Sequence, residues 1–187
     1  MDWVGRRAGG IVMRFDPADA QVLRELVVAV RDMVAGGLPI AGSTDPLELL
    51  LGPGGVGPVG VPDGQPVDPA LARLLPDGYR DDPDSAGEFR RLTESSLRRH
   101  KSETAQRVLD TLPAAGGRVC LDGDTTRAWL SALNDVRLVI GTRLDVTEDM
   151  DAPEPDDPAA PGYELYRWLT LLQELLVEAT VGGSPYD

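Results

Sequence analysis

Cysteine is almost missing: Cys120 is the only one in 187 residues. No disulfide can therefore form within one chain, which fits a reducing compartment. Histidine is equally scarce. His100 and Cys120 together supply too few nitrogen and sulfur ligands for a zinc site. Aromatic residues make up 5% of the chain, so Leu, Val, Ile and Ala must fill the core. Lysine occurs once, as Lys101, and arginine carries the remaining positive charge. No apolar run approaches the ~18–20 residues that span a bilayer. The stretch "MDWVGRRAGGIVMRF" lacks the apolar h-region of a signal peptide, so a cytoplasmic location is expected, with no membrane partner.

Enzyme signatures are missing too. There is no G-x-x-x-x-G-K-[ST], no G-x-S-x-G, no H-E-x-x-H and no C-x-x-C. The Gly-rich loop at 52–64 lacks the strand before it and the helix directly after it that a phosphate cradle needs. No catalytic residue, metal or cofactor is assigned, and a non-enzyme is expected.

What is present is acid and helix. Formal net charge is −13, which opposes non-specific binding to DNA or anionic lipid. "DPADAQVLRELVVAVRDMVA" places Asp16 as N-cap and Pro17 at the first helical position, followed by apolar residues at helical spacing, and predicts a helix over 17–35. "DPLELLLG" (45–52) predicts one or two helical turns, and "DPALARLLP" (68–76) a short helix stopped by Pro76. A longer helix over 85–112 is expected, with Ser85 and Glu88 as a capping box. Another follows Asp122 or Asp124 and runs over 124–144. A last one over 163–179 has an unusually broad apolar stripe, which a homodimer would also satisfy. "IVMRF" (11–15) and residues 118–121 read as short strands that pair, and 2–15 can form a hairpin. Residues 145–158 carry seven carboxylates, three prolines and no cation. The expected architecture is mainly α with a small β component: a bundle of about four helices plus a short two-stranded antiparallel sheet. One domain covers 1–187, with 52–69 and 145–162 as flexible loops or linkers.

Three groups of residues are candidates for a site. Cys120 stands in a strand before a helix N-terminus. It is either an oxidisable thiol or, as the favoured reading, a small buried hydrophobe. Residues 90–107 form the one strongly basic element; Arg90, Arg91, Arg98, Arg99 and Lys101 are candidates for a partner or nucleic-acid surface. A solvated face that pairs with the chain's own acidic segments is favoured there, and a solvated His100 likewise. Asn134, Asp135, Arg137 and Arg143 interrupt an apolar helix. Their favoured reading is a structural clamp, through an Asp135–Arg143 pair or a carboxylate on Arg137. "DGDTT" (122–126) resembles the start of a calcium loop but lacks its later ligands, and helix capping explains both aspartates.

The block "GRVCLDGDTTRAWLSALNDVRLVIGTRLDVTEDMD", with "YRWLTLLQELLVEA" and "DPALARLLPDGYRDDPDSAGEFRRLTESSL", resembles an actinobacterial domain-of-unknown-function family. Its members are encoded beside ClpS-type protease adaptors and include an actinomycete oxidative-stress, redox-responsive transcriptional regulator. The resemblance implies a regulator of transcription; the acidic chain, with one basic helix and no catalytic constellation, points to action through protein contacts, with a sigma factor or RNA polymerase as partner and DNA as a weaker one. The family's gene context implies, as an alternative, an accessory role in Clp-dependent proteolysis; the residues themselves leave a cysteine-dependent enzyme open, using Cys120 with His100 or a carboxylate. The redox form of the regulator uses a C-x-x-x-C pair. Here the positions four away from Cys120 are Gly116 and Asp124, so one-cysteine oxidation, an intermolecular bridge or no redox role remain.

Overall fold

Two Asp-capped turns from strand to helix organise the molecule. Asp16 leaves the strand extended and its carboxylate accepts the backbone N–H of Asp19 at 2.8 Å. Asp122 does the same for the N–H of Thr125, also at 2.8 Å. Each satisfies a helix N–H that has no intrahelical acceptor. A computed structural model describes residues 3–7, 10–36, 68–76, 83–147, 150 and 152–181. Within them the elements are β1 (Trp3–Arg7), β2 (Gly10–Phe15), α1 (Pro17–Val34), α2 (Pro69–Leu74), α3 (Pro83–Thr111), β3 (Gly117–Leu121), α4 (Gly123–Arg143) and α5 (Ala160–Val181).

The chain is mainly helical with a small sheet, as expected. β2 pairs antiparallel with β3, Ile11 opposite Leu121 and Phe15 opposite Gly117. The hairpin open to the N-terminal stretch also forms, so the sheet has three strands in the order β1-β2-β3 rather than two. Gly116 makes the approach to β3 possible. Its φ is +73, and a Cβ there would stand 2.7 Å from the backbone of Asp16 and Pro17. Only glycine tolerates both conditions.

Alternation along the strands sends Ile11, Met13, Phe15, Val119 and Leu121 into the core. α4 is the central helix. It packs against α1, α2, α3 and α5, and it buries Trp129, Leu133, Val136, Val139 and Ile140. Trp129 lies 5.8 Å from Phe15, ring centre to ring centre, and its indole N–H donates to the Thr111 hydroxyl at 2.8 Å. That bond removes the penalty of burying an indole donor. α5 closes the bundle with Leu169, Leu172, Leu176 and Ala179, and it reaches β1 and β2.

Several boundaries differ from expectation for local reasons. α3 begins at Pro83, so Ser85 lies inside the helix instead of capping it. Asp68 caps α2 and Pro69 opens it, which removes both from the proposed loop 52–69. The turn predicted over 45–52 and the rest of that loop lie outside the described residues. The acidic linker ends earlier than 162, because turns at Glu154–Asp157 and Asp157–Ala160 feed directly into α5 at Ala160. No described helix is long and apolar enough to cross a membrane.

Candidate functional site

The thiol is on the outside. Val119 and Leu121 point into the core, so Cys120 between them faces solvent with Arg118. The favoured expectation of a buried cysteine is thereby corrected. The signal was present in Arg118: a guanidinium two residues away claims the wet face, and Cys120 shares it. Across the ladder, Cys120 lies opposite Val12 and Arg118 opposite Arg14. The open face of the sheet thus displays one thiol beside two arginines. His100 is exposed on α3, and no hydrogen bond joins it to Cys120. Among the described residues no three His, Cys, Asp or Glu side chains converge as a metal site. Backbone and side-chain hydrogen bonds from Thr125 lower the pKa of Asp122, as expected of a helix cap.

The basic stretch divides. Arg98 folds back on the bundle, donating to the Val34 carbonyl at 2.7 Å and pairing with Glu94 at 2.7 Å. Lys101 turns inward and reaches Asp135 at 2.6 Å. Arg99 and His100 are exposed between them. Residues 90 and 91 are helical, and their side chains lie outside the described part. Of the candidate cations with described side chains, Arg98 and Lys101 are thus bonded inward and Arg99 is solvated.

The polar cluster of α4 also separates into individual contacts. Asp135 is 5% exposed and its partner is Lys101 on α3, not Arg143. Burial raises the Asp135 pKa, and the hydrogen bond and charge of Lys101 oppose that rise. Arg143, its side chain 9% exposed, instead meets Asp68 at the head of α2 at 3.4 Å. Arg137 makes no carboxylate pair among the described residues. It donates to Thr170 at 3.0 Å, to Gln173 at 2.7 Å and to the Tyr166 hydroxyl at 3.4 Å, and lies 5.4 Å from the Tyr166 ring centre. Asn134 is exposed. Neither pair expected of the clamp forms: Asp135 meets Lys101, Arg143 meets Asp68, and Arg137 meets three neutral groups of α5. Tyr166, Thr170 and Gln173 recur at steps of four and three, a helical face that could have been read. The Lys101–Asp135 contact joins two helices and leaves no local trace.

Around Arg137 the surface opens into a cleft of about 240 Å³, bounded by α2, the C-terminal half of α4 and α5. Arg73, Asn134, Arg137 and Tyr166 supply its polar wall. Leu138, Gly141 and Val146 supply the apolar one, and Asp145 stands at its edge. Gly141 matters here: a Cβ at that position would press to 3.2 Å from the Tyr166 ring.

Comparison with known proteins adds a family and relatives. A family model described as a domain of unknown function, DUF2017, matches residues 1–180. The chain is 39% identical over 133 residues to proteins named oxidative stress regulator AosR from Mycobacterium bovis and Mycobacterium tuberculosis. The aligned part is 64% of this chain and 61% of each relative. The chain thus spans about three fifths of the length of the curated relatives it matches. No solved structure matches it.

Proposed function

We propose, from the premise that this chain belongs to the DUF2017 family, that it is a non-enzymatic regulator linked to oxidative stress. It acts on transcription through protein contacts, with a sigma factor or RNA polymerase as the partner. The observation that carries the reading is the likeness to relatives named as oxidative stress regulators, over most of this chain. The exposed thiol supports it: Cys120 is open to oxidants without any unfolding. With no second cysteine, its oxidation products are a sulfenic acid or a bridge to another molecule's thiol.

Affinity capture with the tagged full chain, before and after peroxide treatment of the cells, tests the proposal. RNA polymerase or a sigma factor should be enriched, and Cys120→Ser should abolish any dependence of that recovery on peroxide. Capture of a Clp adaptor in place of transcription proteins would overturn it. In the folded protein Cys120 should react with a disulfide reagent at the rate of a free thiol, and Cys120→Ser should change stability by less than about 0.5 kcal/mol. A salt series in a gel shift checks direct DNA binding, which the charge of −13 disfavours.

A further inference from the structure

We propose that the cleft between α2, α4 and α5 binds the carboxylate of a small organic acid. Two guanidiniums line it, Arg73 from α2 and Arg137 from α4. Among the described residues neither forms an ion pair. Arg137 is the more telling of the two. It is half-buried, and its bonding partners are a hydroxyl, an amide oxygen and a phenol, all neutral. Glu174 and Glu178 line the neighbouring cleft with it, yet no described carboxylate bonds it directly, so a bound anion would give this partly buried charge its first direct counter-charge. Asp135, two residues earlier on the same helix, shows the contrast: its charge is met by Lys101.

The remaining lining defines the ligand. A guanidinium offers a planar fork that matches the two oxygens of a carboxylate. Leu138, Gly141 and Val146 offer a carbon surface that inorganic anions cannot use. The Asn134 side chain adds an amide within the same wall. A space of about 240 Å³ lies below the ~300–1,000 Å³ of drug-sized pockets, so a short-chain acid fits and a nucleotide does not. Among the described residues Asp145 is the one acidic lining residue; it weakens the site and offers a test of sign.

The experiment is an amide-shift titration of the full chain at fixed ionic strength. The probes are hexanoate, its neutral match hexanamide, and inorganic phosphate. Hexanoate should shift the amides of Arg73, Gly141 and Val146 saturably, with hexanamide and phosphate each roughly tenfold weaker. Arg73 is exposed and unbonded among the described residues, so Arg73→Gln leaves the fold intact. It should weaken hexanoate roughly fivefold. Asp145→Asn should tighten it roughly twofold. Hexanamide binding as well as hexanoate, phosphate binding as well or better, or an unchanged affinity in Arg73→Gln would each overturn the assignment.

Discussion

Two sides of α4 handle charge in opposite ways. Toward α1 and α3, Asp135 is buried and ion-paired at 2.6 Å with the single lysine of the chain. Toward α5, two residues later, Arg137 is held by three neutral groups. The first side is complete within the chain, because a carboxylate and an ammonium cancel. The second is held by neutral groups, with no carboxylate at bonding distance among the described residues. A charge can therefore serve the fold in two ways, as half of a closed pair or as a fixed donor left available to something else.

The largest expected effect breaks the closed side. Lys101→Met should destabilise the protein by about 3–5 kcal/mol in denaturant unfolding, because it strands a buried carboxylate. Lys101→Met combined with Asp135→Leu should recover most of that loss. A double variant as unstable as the single one would mean that the pair acts through more than mutual compensation. On the open side, Arg137→Met removes three hydrogen bonds to neutral groups that water can reach. Its cost should be smaller, about 1–3 kcal/mol by the same measurement. Equal losses on the two sides would erase the contrast.

The smallest effect sharpens the comparison by its sign. Burial raises the Asp135 pKa from its ordinary 3.8, so the folded state holds that proton to higher pH than the unfolded state does. Stability contributed at this position is then greatest at low pH and falls as pH rises through the window above 3.8. Melting temperatures of wild type and Asp135→Asn, compared from about pH 3.5 to 7, should show the wild-type advantage shrinking as pH rises. An advantage that grows with pH would mean that Lys101 outweighs burial.

Much of the frame was legible because its causes are local. Asp16-Pro17 and Asp68-Pro69 mark two helix starts, and apolar residues three and four apart mark the core faces of α1, α4 and α5. The pairing of β2 with β3 was readable from two short β-prone runs. The face of Cys120 follows only once Arg118 is placed, because a lone thiol fits either side of a strand whereas a guanidinium two residues away fixes the wet one. The candidate cluster on α4 was found as residues but not as contacts. Asp135, Arg137 and Arg143 were each singled out, yet their partners lie on α3, α5 and α2. Helical spacing places side chains around one axis; it carries no information about which neighbouring helix lies there. Long side chains add to this, since Arg98 and Lys101 bend toward the bundle from a flank that spacing alone assigns to solvent.

The β2–β3 ladder has a consequence for synthesis. Ile11 emerges from the ribosome early and Leu121 much later, after α1, α2 and α3. The hairpin of β1 and β2 is available from the start, but one side of β2 has no neighbour until translation has passed most of the chain. During that interval the nascent polypeptide presents an unsatisfied strand edge with Met13 and Phe15 uncovered, the species most in need of a holding chaperone.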